Sequence, residues 1–183
     1  MNHDDHMRLL RRGVERGTNG VWAELGAGEG AFTLALAELL GPGATLHAVD
    51  RDRRALERGA AAVARRYPAV DLRPLVADFT GPLALPPLDG LLMANSLHFV
   101  RDKEPLLRRL GALLRPGGRF VLVEYNVDDG NRWVPHPLSF DTWAALAARA
   151  GLEEAVLLAA TPSRFLGEIY SALAARPAAA ILR

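Results

Sequence analysis

The chain contains no cysteine. That excludes disulfides, thiolate metal sites and a cysteine nucleophile, and it leaves the redox compartment undetermined. Excess charge is missing too. Lys and Arg number 22 against 21 Asp and Glu, so a net charge of +1 provides no long-range field to gather nucleic acid or an anionic membrane. Lysine is almost absent, and Lys103, alone among arginines, reads as a compositional trait rather than a functional one. No apolar run is long enough to span a bilayer. The start Met1-Asn2-His3-Asp4-Asp5-His6 is polar and acidic, unlike a signal peptide, so the expected location is cytoplasmic. His3, His6 and His47 lack the spacing of metal ligands, and no metal site is expected. The arginine pairs Arg11-Arg12, Arg53-Arg54, Arg65-Arg66 and Arg108-Arg109 fall in predicted helices near acidic residues, the pattern of a solvated face.

What is present suits one globular domain over residues 1–183, with 50% hydrophobic and 23% charged residues. Strand-like and helix-like segments alternate from Val21 to Tyr125, which implies βαβ units and a mostly parallel sheet. Residues 1–17 hold a preliminary helix over 3–16, with Met7, Leu9, Leu10 and Val14 available for burial. The predicted strands are Val21 to Leu25, Thr45 to Val49 ending on Asp50, Val70 to Val76, Gly90 to Ala94, and Phe120 to Tyr125. Pro74 predicts an edge position for the third of these.

The predicted helices run from Gly30 to Leu40, from Asp52 to Arg66 with apolar positions at 55, 56, 60, 63 and 64, and from Asp102 to Leu114. Gly41-Pro42-Gly43 stops the first, while Asp102 caps the last and Arg115-Pro116-Gly117-Gly118 closes it. Beyond Tyr125, residues 126–138 form a polar, aromatic-bearing loop. Ser139 caps a helix to about Ala150, strands follow at 152–159 and 165–174, and 177–183 is a tail.

The chemistry concentrates in Val21-Trp22-Ala23-Glu24-Leu25-Gly26-Ala27-Gly28-Glu29-Gly30-Ala31-Phe32. An apolar strand ends in a carboxylate, and a glycine turn opens onto an apolar helix. Such a turn presents bare backbone and helix-start amides to a nucleotide-like ligand. Gly26, Gly28 and Ala31 also satisfy the dinucleotide pattern G-x-G-x-x-A, with Asp50 at the place of its ribose acid. Glu24 and Glu29 argue against a pyrophosphate there, because two carboxylates repel a phosphate and attract a sulfonium or ammonium.

The polar residues punctuating the strand ends are Glu24, Asp50, Asp78, Asn95 and Glu124-Tyr125. With them the chain resembles class I S-adenosylmethionine-dependent methyltransferases from about residue 18 to 175. Glu24 to Gly30 is similar to that family's first motif, and Val49-Asp50 to its ribose-binding strand end. Ala77-Asp78-Phe79 resembles the adenine-binding segment, Leu88 to His98 the fourth-strand motif, and Leu114 to Phe120 the turn entering strand five.

The resemblance implies a doubly wound, Rossmann-like α/β sheet of about seven strands, mostly parallel with an antiparallel last strand inserted beside strand five. It implies S-adenosylmethionine as cofactor, held by Glu24, Gly26, Ala27, Gly28, Gly30, Asp50, Arg51, Asp78, Phe79 and Asn95. His98, Tyr125 and His136 are the catalytic candidates, with Glu124 a further base available to an alcohol or carbon acceptor. Tyr125, Trp133 and His136 are expected on the acceptor wall, since they follow strand five where loops vary. Arg164 and Phe165 either close the same pocket or, for Phe165, belong to the core. The expected acceptor is a small molecule, on a monomer or homodimer that engages neither nucleic acid nor membrane. Two other readings stay open: a catalytically silent cofactor-binding sensor or partner subunit, and an NAD(P)-dependent reductase.

Overall fold

The computed structural model describes residues 1–17 and 19–179. Seven strands form one sheet: β1 (Val21–Leu25), β2 (Thr45–Asp50), β3 (Asp71–Val76), β4 (Leu88–Ala94), β5 (Leu114–Tyr125), β6 (Val156–Pro162) and β7 (Glu168–Ala175). Their order is β3-β2-β1-β4-β5-β7-β6. All neighbours are parallel except β7, which runs antiparallel to both β5 and β6. The inserted antiparallel strand is therefore where the resemblance implied it. The helices are α1 (His3–Leu10), α2 (Ala31–Leu40), α3 (Arg53–Arg66), α4 (Glu104–Leu113) and α5 (Phe140–Arg149).

The central strands are mostly apolar because both faces of the sheet are covered. Successive residues point to opposite faces. Leu91, Met93, Phe120, Leu122 and Tyr170 pack with Leu107, Leu110 and Trp143 of α4 and α5. Their neighbours Leu92, Ala94, Val121 and Val123 pack with Leu9 and Leu10 of α1, Leu36 and Leu40 of α2, and Val63 of α3. β3 lies at the sheet edge, as Pro74 requires.

Several boundaries differ from the sequence reading. α1 ends at Leu10 because Gly13 and Val14 both donate to the Leu10 carbonyl and close a turn. Arg11-Arg12 therefore lies beyond this helix, and Met7 is only half-buried. On α3 the buried face is Ala55, Leu56, Gly59 and Val63, while Ala60 is half-buried and Ala64 exposed. α4 starts at Glu104 with Lys103, not Asp102, at its N-cap, and Pro105 occupies the first turn.

Arg115-Pro116-Gly117-Gly118 follows the end of α4 at Leu113, as expected, and it is also a bulge inside β5, between the pairs Leu88–Leu114 and Gly90–Arg119. Gly117 donates to the Arg176 carbonyl and Arg176 to that of Gly118, so the segment stays in the sheet. β6 begins only at Val156, because Leu152 and Glu153 donate instead to Ala147 and Ala175 and make the connection. β7 begins at Glu168 after a turn closed by Ser163 N–H to the Gly167 carbonyl, which leaves Phe165 exposed and outside the core. Of the tail, residues 180–183 lie outside the described residues, as does Thr18.

Candidate functional site

After β1 the chain winds one way across the sheet to β2 and β3, then returns to build β4 and β5 on the other side. The reversal between β1 and β4 splays the loops at their carboxyl ends and opens a crevice. A cleft of about 370 Å³ lies there. Its walls are Gly26 and Gly28 after β1, Asp50 at the end of β2 and Arg51 beyond it, Ala77 to Thr80 after β3, and Asn95, Ser96, Phe99 and Val100 after β4. Strands that are neighbours in space thus deliver residues spread over some seventy positions.

The glycine turn is held from three sides. Gly26 and Ala27 both donate to the Val49 carbonyl, at 2.8 and 3.0 Å. Gly28 N–H donates to Asp50 Oδ2 at 2.7 Å. Gly30, at φ +85°, is the N-cap of α2, and a Cβ on it would stand 2.8 Å from the Gly59 Cα. A Cβ at Gly26 would stand 2.5 Å from that of Ser96, so only glycine lets the turn close over β4. At Gly28 no atom lies within 4 Å of the same position, which leaves bare backbone facing the cleft.

Asp50 also accepts from Asp52 N–H at 2.8 Å, while Asp52 itself caps α3. Asp78 accepts from the Thr80 hydroxyl and amide, at 2.7 and 2.8 Å. Those bonds, with a smaller contribution from Arg51, hold its carboxyl below the usual aspartate range, so it faces the cleft as a carboxylate. Phe79 stands beside the glycine turn. Asn95 adopts φ +52°, and its side-chain Oδ1 is buried without a partner on the cleft wall. An acceptor left free on the cleft wall can take a hydrogen bond from whatever fills the cleft, a ligand or an ordered water.

Three residues expected at the cofactor stand behind the wall. Ala27 and Gly30 are buried, and Glu24 is 1% exposed. Glu24 accepts from the Thr33 hydroxyl of α2 at 2.5 Å. Burial pushes its carboxyl up to about 8, with the Asp50 charge adding to the shift and the Thr33 bond opposing it. Glu29 points outward and pairs with Arg58 on α3 at 2.6 Å, so it supplies no charge to the cleft.

The Glu24 shift makes stability depend on pH. The folded value lies above the ordinary 4.5, so the stabilisation is complete below that pH and is lost as pH rises toward 8. We expect the ligand-free protein to lose a few kcal/mol, on the order of 5–10 °C in Tm, between pH 5 and 8. The isosteric Glu24→Gln variant should flatten that slope. Parallel thermal melts of the two proteins check it, and equal slopes would remove Glu24 as the source.

Beside the cleft lies a second polar group. His98 sits on a single 3₁₀ turn, Leu97–Phe99, and is 3% exposed. Its Nδ1 is 2.9 and 3.0 Å from the two carboxylate oxygens of Glu124, which is fully buried at the end of β5. Its backbone N–H donates to Glu124 Oε1 at 3.2 Å. The Tyr125 ring lies 6.3 Å from the imidazole and 5.9 Å from the Phe165 ring. Burial, then the Glu124 charge, pushes the Tyr125 phenol up, so it stays protonated. His136 reaches this group through its backbone N–H, which donates to the His98 carbonyl at 3.0 Å. Trp133 is 67% exposed with Arg132 over its ring. Arg164 is exposed as well.

Sequence reading missed three contributors. Gly59 admits the glycine turn against α3, and its signal was an isolated glycine inside a helical pattern. Arg109 of α4, read as a solvated face, donates to the Phe79 and Thr80 carbonyls at 3.0 and 2.7 Å and holds that wall. Lys103 is buried at the N-cap of α4 and donates to the Val100 carbonyl on the cleft wall at 2.8 Å, which no local pattern reveals.

A glycine turn, strand-end carboxylates and an orphaned amide at a sheet switch point define a protein that binds a nucleoside-like cofactor. Residues 23–120 match the family model described as Methyltransferase domain. The chain belongs to that family, the class I S-adenosylmethionine-dependent methyltransferases, and S-adenosylmethionine is its cofactor. This displaces the dinucleotide reading of the glycine turn.

A curated relative, polyketide synthase 19 of Gibberella fujikuroi, is 31% identical over 94 residues. That match covers 41% of this chain and only 4% of the relative's length. Among solved structures, the YcgJ protein from Bacillus subtilis superposes with a TM-score of 0.77 at 14% identity, covering 97% of this chain and 100% of that one. The 1,6-didemethyltoxoflavin-N1-methyltransferase of Burkholderia thailandensis, solved with bound 1,6-didemethyltoxoflavin and S-adenosylhomocysteine, gives 0.72 at 21% identity, covering 96% of this chain and 78% of that one. Both show the same fold.

Proposed function

We propose that this chain transfers the methyl group of S-adenosylmethionine to a small organic acceptor whose hydroxyl or carbon acid gives up a proton to His98. The observation that carries this reading is the buried His98–Glu124 pair one turn from the cleft wall. Bound, the cofactor supplies a methyl group already activated on a sulfonium, so the protein's work is to hold, align and exclude water.

Asp50 would accept from the ribose hydroxyls and Asp78 from the adenine amine, with the bare backbone at Gly26 and Gly28 alongside the ligand. Asn95 Oδ1, buried and unpartnered on the cleft wall, would accept from a cofactor N–H. The fit of these groups is the reason to place the cofactor in this cleft. Glu24, Ala27 and Gly30 act from behind, shaping the turn, and Arg51 balances the two aspartates at the rim.

His98 has the arrangement of a general base. With Nδ1–H donated to Glu124, the lone pair is left on Nε2, and the carboxylate stabilises the imidazolium formed on proton uptake. An amine acceptor needs no such pair, whereas an alcohol or carbon acid does. Tyr125, held as a neutral phenol, serves as acceptor wall and hydrogen-bond donor rather than base. Phe99 and Phe165, both exposed, extend that wall, and His136 braces it from the 126–138 loop.

The test has two parts. Calorimetric titration should show micromolar binding of S-adenosylmethionine and S-adenosylhomocysteine and none of NAD(P)H. Turnover against matched hydroxyl, carbon-acid and amine acceptors should then favour the first two, and His98→Ala should cost ~10²–10⁴-fold in kcat with cofactor affinity retained. Binding without turnover on any acceptor would favour a cofactor-binding sensor. Unchanged kcat in the His98 variant would remove the base.

A further inference from the structure

Exposed phenylalanine is rare in this chain, and where it occurs it is not scattered. Phe32, Phe79, Phe120 and Phe140 are buried or half-buried, whereas Phe99 and Phe165 are 60% and 50% exposed. These two come from distant parts of the chain, yet they flank the same pair of residues. The Phe99 ring lies 4.3 Å from the His98 imidazole at an interplanar angle of 53°. Tyr125 stands 6.3 Å from that imidazole on one side and 5.9 Å from the Phe165 ring on the other. Phe99, His98, Tyr125 and Phe165 thus form one row of rings with an exposed phenyl group at each end. The row adjoins the cofactor cleft, because Phe99 is part of the cleft wall.

Hydrogen-bonded turns hold both ends in place. Phe99 closes the 3₁₀ turn, with its amide donating to the Ser96 carbonyl and that of Val100 to Leu97. Phe165 sits on the turn between β6 and β7, where its amide donates to Ser163 Oγ at 3.2 Å and Ser163 N–H to the Gly167 carbonyl at 2.7 Å. A single exposed apolar side chain needs no explanation, but two aromatic rings fixed beside a cofactor cleft mark a surface that a ligand covers. Such rings favour a partner ring, offset or edge-on at about 4.5–7 Å, over a saturated group of equal size. A sugar or polyol would find few hydrogen-bond partners here, the polar groups of the row being the Tyr125 hydroxyl and the His98 imidazole. A cationic acceptor is best held by several ring faces turned on one point, whereas these rings follow one another in a row.

We propose that the methyl acceptor is a flat aromatic molecule, its ring packed on Phe99 and Phe165 and its reacting substituent turned toward the cofactor cleft. Phe99 and Phe165 are then specificity residues that select the ring, while His98 lies within the row where the substituent reacts. The acceptor's class rests on the reading of this cleft as the place of methyl transfer, but not on the charge of His98 or Glu124.

Binding separates ring recognition from turnover. With S-adenosylhomocysteine bound, the protein is titrated by calorimetry with 2-naphthol and with decahydro-2-naphthol, which keeps the skeleton and the hydroxyl without the aromatic rings. 2-Naphthol should bind about tenfold more tightly. That preference should fall below about threefold in Phe99→Leu and in Phe165→Leu, and Phe165→Tyr should restore it. In phenylalanine-labelled protein, 2-naphthol should shift the Phe99 and Phe165 ring signals, assigned by their loss in the leucine variants, and tetramethylammonium should not.

Equal affinity for the two alcohols, or binding of neither, overturns the proposal, as does a preference for 2-naphthol that survives in both leucine variants. Ring shifts produced by tetramethylammonium and not by 2-naphthol would mark a cation site and overturn it too. Should Phe99→Leu not fold, the Phe165 series decides alone. A preference for 2-naphthol without turnover of any aromatic acceptor supports the ring assignment and counts only against the methyl-transfer reading. Saturated alcohols turned over as efficiently as aromatic ones, with His98→Ala inactive on both, would overturn the aromatic class and leave that reading standing.

Discussion

Replacing Asp50 by alanine is expected to weaken S-adenosylmethionine binding ~100-fold or more. The carboxylate occupies the cleft where the ribose diol would lie, and charge-assisted bonds of this kind contribute about 1.5–3 kcal/mol each. Losing two would cost about 3–6 kcal/mol, and every 1.4 kcal/mol is tenfold in affinity. The same side chain also accepts from Gly28 N–H and Asp52 N–H, so the alanine variant frees the glycine turn that the ligand must lie against. Asp50→Asn retains an acceptor for one of those amides and loses the charge, and should fall between the two. Calorimetric titration of the three proteins with S-adenosylmethionine and S-adenosylhomocysteine checks the order. Wild-type affinity in the alanine variant would move the ribose site elsewhere.

The second large effect is structural. Gly30→Ala should lower Tm by about 5–15 °C, on two independent counts. A Cβ at φ +85° costs roughly 1–2 kcal/mol, because it approaches the following carbonyl. The same Cβ meets the Gly59 Cα at 2.8 Å, backbone that cannot rotate away, and overpacking of that kind costs about 1–3 kcal/mol. Gly59→Ala carries only the second penalty, its Cβ standing 2.9 Å from the Glu29 carbonyl carbon. It should therefore destabilise less, and the double variant should lose less than the sum, since one separation of α3 from the turn relieves both. Thermal melts of the three variants measure this. A fully additive pair would show that the two glycines do not share one contact.

Much of the cofactor side was legible because its parts are local. A glycine turn between an apolar strand and an apolar helix identifies itself within a dozen residues, as do Asp50 and Asp78 at the ends of their strands. Elements with their own stop signals were legible for the same reason: β1, β2 and α5, with Ser139 at its N-cap, fall where the sequence puts them. Errors gathered where long-range bonds override local preference. Arg115 to Gly118 reads as a helix stop, and α4 does end before it, but its bonds to Arg176 also make it part of β5, which no local pattern shows. Glu29 reads as a charge in the ligand site until Arg58, on the next helix, turns it outward.

By itself, then, the sequence determined the alternation of strands and helices, the switch-point glycine turn and the carboxylates at the ends of β2 and β3. Each depends on periodicity, a φ requirement or a strand end, and all of these act within a few residues. Only the tertiary structure decided which polar residues meet. His98 and Glu124 stand 26 positions apart and join because β4 and β5 are parallel neighbours whose ends coincide. Lys103 turns from a compositional oddity into a brace of the cleft wall because the N-terminus of α4 brings it, buried, to the Val100 carbonyl. A charge's role is set by what surrounds it in three dimensions, where burial multiplies its interaction with each neighbour.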